Sequence, residues 1–132
     1  MIPDPTKHGA FSWCELMTTD PNAAKEFYGP LFGWEFEDIE NSCVPYAILK
    51  ADGAPQGGVM AKPPQLPANV PPYWGVYVTV DDVHAVAAKA VALGGMILRP
   101  PTEIPNVGTF AVIQDPQGAV ISAITYTCER CE

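Results

Sequence analysis

Basic residues are scarce in this 132-residue chain: seven Lys and Arg stand against fifteen Asp and Glu, a formal net charge of −8. Such a field repels phosphate backbones and anionic membrane surfaces, so nucleic acid is not an expected partner. Long apolar runs are missing as well. None approaches the ~20 residues that a membrane-spanning helix needs. The opening Met1-Ile2-Pro3-Asp4-Pro5 has no basic region followed by an apolar one, so no membrane association and a cytoplasmic location are expected. Histidine is limited to His8 and His84, one ahead of the first strand and one early in a helix, and both read as surface side chains. Four cysteines could form two disulfides, but a reduced state is the better expectation in that location. Cys128 and Cys131 form a lone Cys-x-x-Cys near the C-terminus, without the second ligand pair that metal chemistry would require.

What is present is a core and a repeat. Hydrophobic residues make up 48% of the chain, enough for one compact domain. Shifted by 61 positions, Pro55-Gln56-Gly57-Gly58-Val59-Met60 falls on Pro116-Gln117-Gly118-Ala119-Val120-Ile121. The same shift pairs Trp13 with Trp74, Thr18 with Thr79, Asp20 with Asp81 and Gly33 with Gly94. Duplication of one supersecondary module follows, and a site where the copies meet is expected.

Each module reads as strand, helix, then three strands. Module 1 covers about residues 10–62, a proline-rich linker residues 63–72, and module 2 about residues 73–127, all in a single domain. Residues 11–18 alternate as a strand, Asp20-Pro21 supplies a helix cap, and Gly33 ends the helix. Ala23, Ala24, Phe27, Tyr28 and Leu31 are expected on its inner face. Strands follow near Trp34 to Ile39, Val44 to Lys50 and Gly57 to Lys62. In module 2 a strand spans Tyr73 to Val80, and Asp81 or Asp82 caps a helix burying Val83, Val86, Ala87, Ala90 and Leu93. Strands near Met96 to Leu98, Thr109 to Gln114 and Ala119 to Tyr126 complete it, with Asp115-Pro116-Gln117-Gly118 as a hairpin turn.

Thr19-Asp20, Phe27-Tyr28, Leu31-Phe32-Gly33-Trp34 and Asp115-Pro116-Gln117-Gly118, in this order and within a repeat, resemble the vicinal oxygen chelate superfamily. That superfamily includes glyoxalase I, bleomycin-resistance proteins and extradiol dioxygenases. Trp13-Cys14-Glu15-Leu16 is similar to the subgroup whose first strand reads Trp-x-Glu-Leu. The resemblance implies an α+β fold: two tandem βαβββ modules whose curved mixed sheets enclose a cavity, with helices outside. It also implies that metal-dependent members draw ligands from the first and last strands of each module, here Trp13, Ala61, Trp74 and Ser122. Indole offers only a donor N–H, alanine offers nothing and a neutral hydroxyl is a poor ligand, so no metal and no cofactor are expected.

Strand alternation puts Trp13, Glu15 and Met17 on one face, and Trp74, Val76 and Val78 on one face, both expected toward the cavity. Glu15 is the one carboxylate there; it must find hydrogen-bond donors, rise in pKa or meet a cationic ligand. A glutamate held by a backbone amide or buried hydroxyl would serve structure alone, and that reading stays open. The tryptophans are platforms for a flat or cationic ligand, or simply fillers. Tyr46, Phe110 and Tyr126 extend the wall, and Ser122 joins the ligand-binding set. Two functions follow: a metal-free binder of a small, flat, neutral or cationic molecule, or a lyase or isomerase using Glu15 as general acid or base, or an atypical metal site. Lys50 and Lys62 are the basic residues of the module-one strands, too few to favour an anionic substrate. Apolar strand edges make a homodimer the expected assembly.

Overall fold

The computed structural model describes residues 6–39, 45–62, 69–104 and 107–126. Val44, most of the linker prolines, Cys128 and Cys131 lie outside them. Ten elements run in the order β1 (Phe11–Thr18), α1 (Pro21–Phe32), β2 (Glu35–Ile39), β3 (Tyr46–Ala51), β4 (Ala54–Ala61), β5 (Tyr73–Thr79), α2 (Val83–Ala92), β6 (Met96–Ile104), β7 (Gly108–Gln114) and β8 (Val120–Tyr126). This is βαβββ twice, an α+β fold. Contacts divide the chain into one compact unit of Trp13–Gly75 and another of Met1–Ser12 with Val76–Glu132.

In the Trp13–Gly75 unit the strand order is β2-β3-β4-β1, with β1 and β4 parallel and the other pairs antiparallel. The Asp20 side chain accepts from the Ala23 amide at 3.1 Å, Pro21 occupies the first turn where its missing N–H costs nothing, and Gly33 closes α1 at φ 74°. Leu16, Ala47 and Val59 form the core against Ala24 and Tyr28 of α1 and Phe36 of β2. The even-numbered side of β1 therefore faces the helix, and Trp13, Glu15 and Met17 take the opposite face. Not all of the expected inner face of α1 is buried: Phe27 is 61% and Leu31 54% exposed.

In the other unit the order is β5-β8-β7-β6. Asp82, not Asp81, caps α2, accepting from the His84 and Ala85 amides. Thr125 adds a second tie: its hydroxyl accepts from the Val83 amide and donates to the Val80 carbonyl, both at 2.9 Å. Val80, Val83, Ala111 and Ala123 form the core, with Val78, Val86 and Ile113 against it. Leu93, expected inside, is 70% exposed at the helix end. The segment before β1 belongs to this unit. Gly9 donates to the Thr79 carbonyl at 2.7 Å, Thr79 to the Ala10 carbonyl at 2.8 Å, and the Asp81 amide to His8 Nδ1 at 2.9 Å.

The two helix caps, Asp20 and Asp82, are 62 residues apart rather than 61. The core pairs Leu16 and Val78, and Ala24 and Val86, keep that spacing. Beyond the helices it grows to 64, relating Ala47 to Ala111 and Val59 to Ala123. A slip of one residue turns a strand's side chains to the other face. Val78 accordingly packs toward α2, and Trp74 of β5 toward α1, so the expectation that Trp74, Val76 and Val78 line a cavity is corrected.

Candidate functional site

On the sheet face opposite α1, three predicted residues meet. Trp13 Nε1 donates to the Tyr46 hydroxyl at 3.0 Å, and Tyr46 donates to Glu15 Oε2 at 2.6 Å. Their order has only one polarity. Indole N–H can only donate, so the tyrosine oxygen accepts from Trp13 and its own proton points to the carboxylate. Glu15 is the terminal acceptor and is buried, at 8% exposure. Its hydroxyl partner is of the kind that a purely structural glutamate would have. A charge-assisted O–H···O⁻ contact of this length is among the stronger hydrogen bonds.

Tyr73, which the sequence reading missed, stands by the same carboxylate. Burial holds its phenol above the ordinary value, and repulsion between a phenolate and Glu15 raises it further. Its hydroxyl lies 3.4 Å from Met17 Sδ. The corrected strand phase is the signal that finds it, because Tyr73, Gly75 and Tyr77 share one face of β5.

Trp74 belongs elsewhere. Its Nε1 donates to the Tyr28 hydroxyl at 3.2 Å, and its ring meets Tyr28 at 5.4 Å and Trp34 at 5.9 Å, both edge-on. The cluster is completed by Phe27 and Phe32 around Tyr28. These rings pack against one another on the helix side and not with Trp13.

Phe110, Ser122 and Tyr126 lie in the other unit. Phe110 packs at 6.2 Å from the Tyr77 ring, and the guanidinium of Arg99 sits 5.7 Å from its centroid. Ser122 is the register partner of Tyr77. Tyr126 shares a 2.8 Å hydrogen bond with Ser12; burial raises its phenol pKa, and that bond opposes the rise. The two lysines are occupied, Lys50 by Glu37 and Lys62 by the Val70 carbonyl.

The metal positions implied by the resemblance also shift with the register. A first-strand position at Trp13 matches Gly75, and a last-strand position at Ser122 matches Gly58. Glycine supplies no ligand atom, and the Trp13 N–H is engaged with Tyr46, so these residues do not fit a divalent ion in either register. Among the described residues no group of three or more His, Cys, Asp or Glu could hold one. Among them, too, no helix is long and apolar enough to cross a membrane.

The family model of the Glyoxalase/Bleomycin resistance protein/Dioxygenase superfamily matches residues 10–122. CFP32 of Mycobacterium tuberculosis, whose name assigns it provisionally as a glyoxylase, is 44% identical over 117 residues, covering 88% of this chain and 44% of that protein. The anthracycline biosynthesis protein DnrV of Streptomyces peucetius is 29% identical over 126 residues, covering 86% of this chain and 46% of DnrV. The chain thus spans less than half the length of these relatives. Methylmalonyl-CoA epimerase from Mycobacterium tuberculosis has the same fold, with a TM-score of 0.66 at 15% identity over 99% of this chain and 96% of the epimerase.

Proposed function

We propose, for a chain that belongs to the Glyoxalase/Bleomycin resistance protein/Dioxygenase superfamily, that it binds a small, flat molecule at Glu15 without a metal ion. One observation carries this reading: the hydrogen-bond chain from Trp13 through Tyr46 ends on a buried carboxylate. A group that only accepts selects a ligand that donates, which means a cationic or N–H- or O–H-bearing molecule, and the Trp13 ring offers it a flat apolar partner. The net charge of −8 favours the cationic ligands among these at long range. In this reading the protein is a cytoplasmic homodimer.

A thermal-shift screen of small aromatics, cationic antibiotics and divalent metals tests it, since a ligand specific for the folded state raises the midpoint. Glu15→Gln keeps the shape and removes the charge. It should weaken the best cationic hit by roughly 1.5–3 kcal/mol, the range for charged hydrogen bonds. Unchanged affinity together with a lower midpoint would make Glu15 structural and remove it from the site. Elemental analysis should find no stoichiometric metal, and light scattering a mass near twice 14.2 kDa.

The 44% identity to CFP32 favours one second reading, in which Glu15 exchanges a proton with an enolisable carbonyl compound. Deuterium uptake from D2O into such a compound, abolished by Glu15→Gln, would establish it. No uptake leaves binding alone.

A further inference from the structure

Tyr46 starts on β3 and ends on Glu15 of β1, so its ring has to cross the intervening strand β4. Registers locate the crossing. Tyr46 stands opposite Met60, and Gly58, two positions away on the same face, stands opposite Glu15. Neighbouring strands lie about 4.8 Å apart, so a side chain reaching from β3 toward β1 spans roughly twice that and must lie flat on the sheet. It lies on Gly58. A Cβ built there would fall 1.9 Å from the Tyr46 hydroxyl oxygen, 2.2 Å from Cζ and 2.4 Å from Cε1.

The backbone does not explain this glycine. Gly33 and Gly118 have positive φ, a region that L side chains avoid, but Gly58 is not among the positive-φ residues. Alanine would be conformationally welcome at 58, and the three atoms nearest to its methyl group would all belong to Tyr46. At the matching place in the other unit, Ser122 carries a Cβ, and the residue matching Tyr46 is Phe110, whose ring sits beside Tyr77.

We propose that Gly58 is a positioning residue for the binding face. Its bare backbone is what lets Tyr46 reach Glu15 and hold its oxygen against the Trp13 indole N–H, and any side chain at 58 uncouples all three. A chain with a larger residue there would present Glu15 without its tyrosine donor, and so would select different ligands. The proposal rests on the binding reading given above, but its test needs no ligand.

The readout is hydrogen–deuterium exchange of the Trp13 indole N–H, followed by ¹H–¹⁵N spectroscopy and assigned through Trp13→Phe. Tyr46→Phe removes the acceptor and should speed exchange about tenfold, the scale of one lost hydrogen bond. Gly58→Ala should speed it equally, and Gly58→Ala combined with Tyr46→Phe should add nothing further. A wild-type rate in Gly58→Ala, or additive effects in the pair, would overturn the proposal. Unfolding supplies a second measurement that holds if Gly58→Ala alone does not fold. Tyr46→Ala removes the atoms that meet the new methyl, so Gly58→Ala in that background should melt with Tyr46→Ala itself. A much lower midpoint would show that glycine is needed for another reason. A screen without hits would sink the binding reading and leave these outcomes unchanged.

Discussion

The two βαβββ units carry opposite chemistry on equivalent frames. With spacings of 62 and 64, Glu15 matches Tyr77, Tyr46 matches Phe110 and Gly58 matches Ser122. In the first unit these positions make a polar chain ending on a buried carboxylate; in the second, an aromatic pair with Arg99 over one ring. Both helix-facing cores are small and apolar. Duplication kept the packing side and let the open side diverge, which places the distinguishing chemistry of this chain in residues 13–75.

If the helix-facing cores are equivalent, shrinking matched residues should injure both units. Leu16→Ala should cost about 2–5 kcal/mol, and Val78→Ala less, because fewer methylenes are lost and Val78 is only partly buried. Chemical denaturation measures both, and a near-zero effect of Leu16→Ala would break the equivalence.

The open faces should respond differently to one oxygen atom. Tyr46→Phe makes the first unit imitate Phe110 and removes both the acceptor of Trp13 and a donor to Glu15, at a cost of about 1–3 kcal/mol. Phe110→Tyr in the second unit adds a hydroxyl to a ring that packs beside Tyr77, and should change stability by at most about 0.5 kcal/mol. Equal effects would refute the contrast.

The smallest effect concerns two phenols. Tyr73 and Tyr126 are both raised, chiefly by burial, but the second cause differs: Glu15 raises Tyr73, and the hydrogen bond with Ser12 lowers Tyr126. Glu15→Gln should bring Tyr73 down and leave Tyr126 alone, whereas Ser12→Ala should move Tyr126 up, as followed by phenolate absorbance. The sign for stability follows. The unfolded phenols ionise first, near their ordinary value of 10.0, so both contributions are intact below that pH and are lost as pH rises through the higher folded values.

Much of the fold was legible because the chain is punctuated. Asp20-Pro21, Gly33 and Asp115-Pro116-Gln117-Gly118 act locally, and the structure uses each as its chemistry dictates: Asp115 Oδ1 accepts from the Gln117 and Ala119 amides to close its turn. What misled was the adjacent pair Asp81-Asp82. Either aspartate could cap a helix, and matching the first preserved the identities while shifting the strand phase by one. That slip carried Trp74 to the wrong face and hid Tyr73. Extra residues enter within β6, at the bulged pairing around Arg99 and Pro100-Pro101, where no periodicity marks them. Trp13, Glu15 and Tyr46 could be grouped because β1 was placed correctly, but the hydrogen bonds that join them depend on a crossing over β4 that no local pattern encodes.

The segment before β1, bonded to Thr79 and Asp81, bears on how the protein is made. Residues 8–12 leave the ribosome well before their partners: Asp81, the partner of His8, follows 73 positions later, and Tyr126, the partner of Ser12, 114 positions later. Residues 13–75 form a contiguous stretch that can close while synthesis continues, whereas the second unit waits for both ends of its own chain and bears the slower, long-range loop closure. A nascent chain halted after residue 75 would therefore carry Trp13, Tyr46 and Glu15 behind a short segment whose partners, Thr79 and Asp81, have not yet been made.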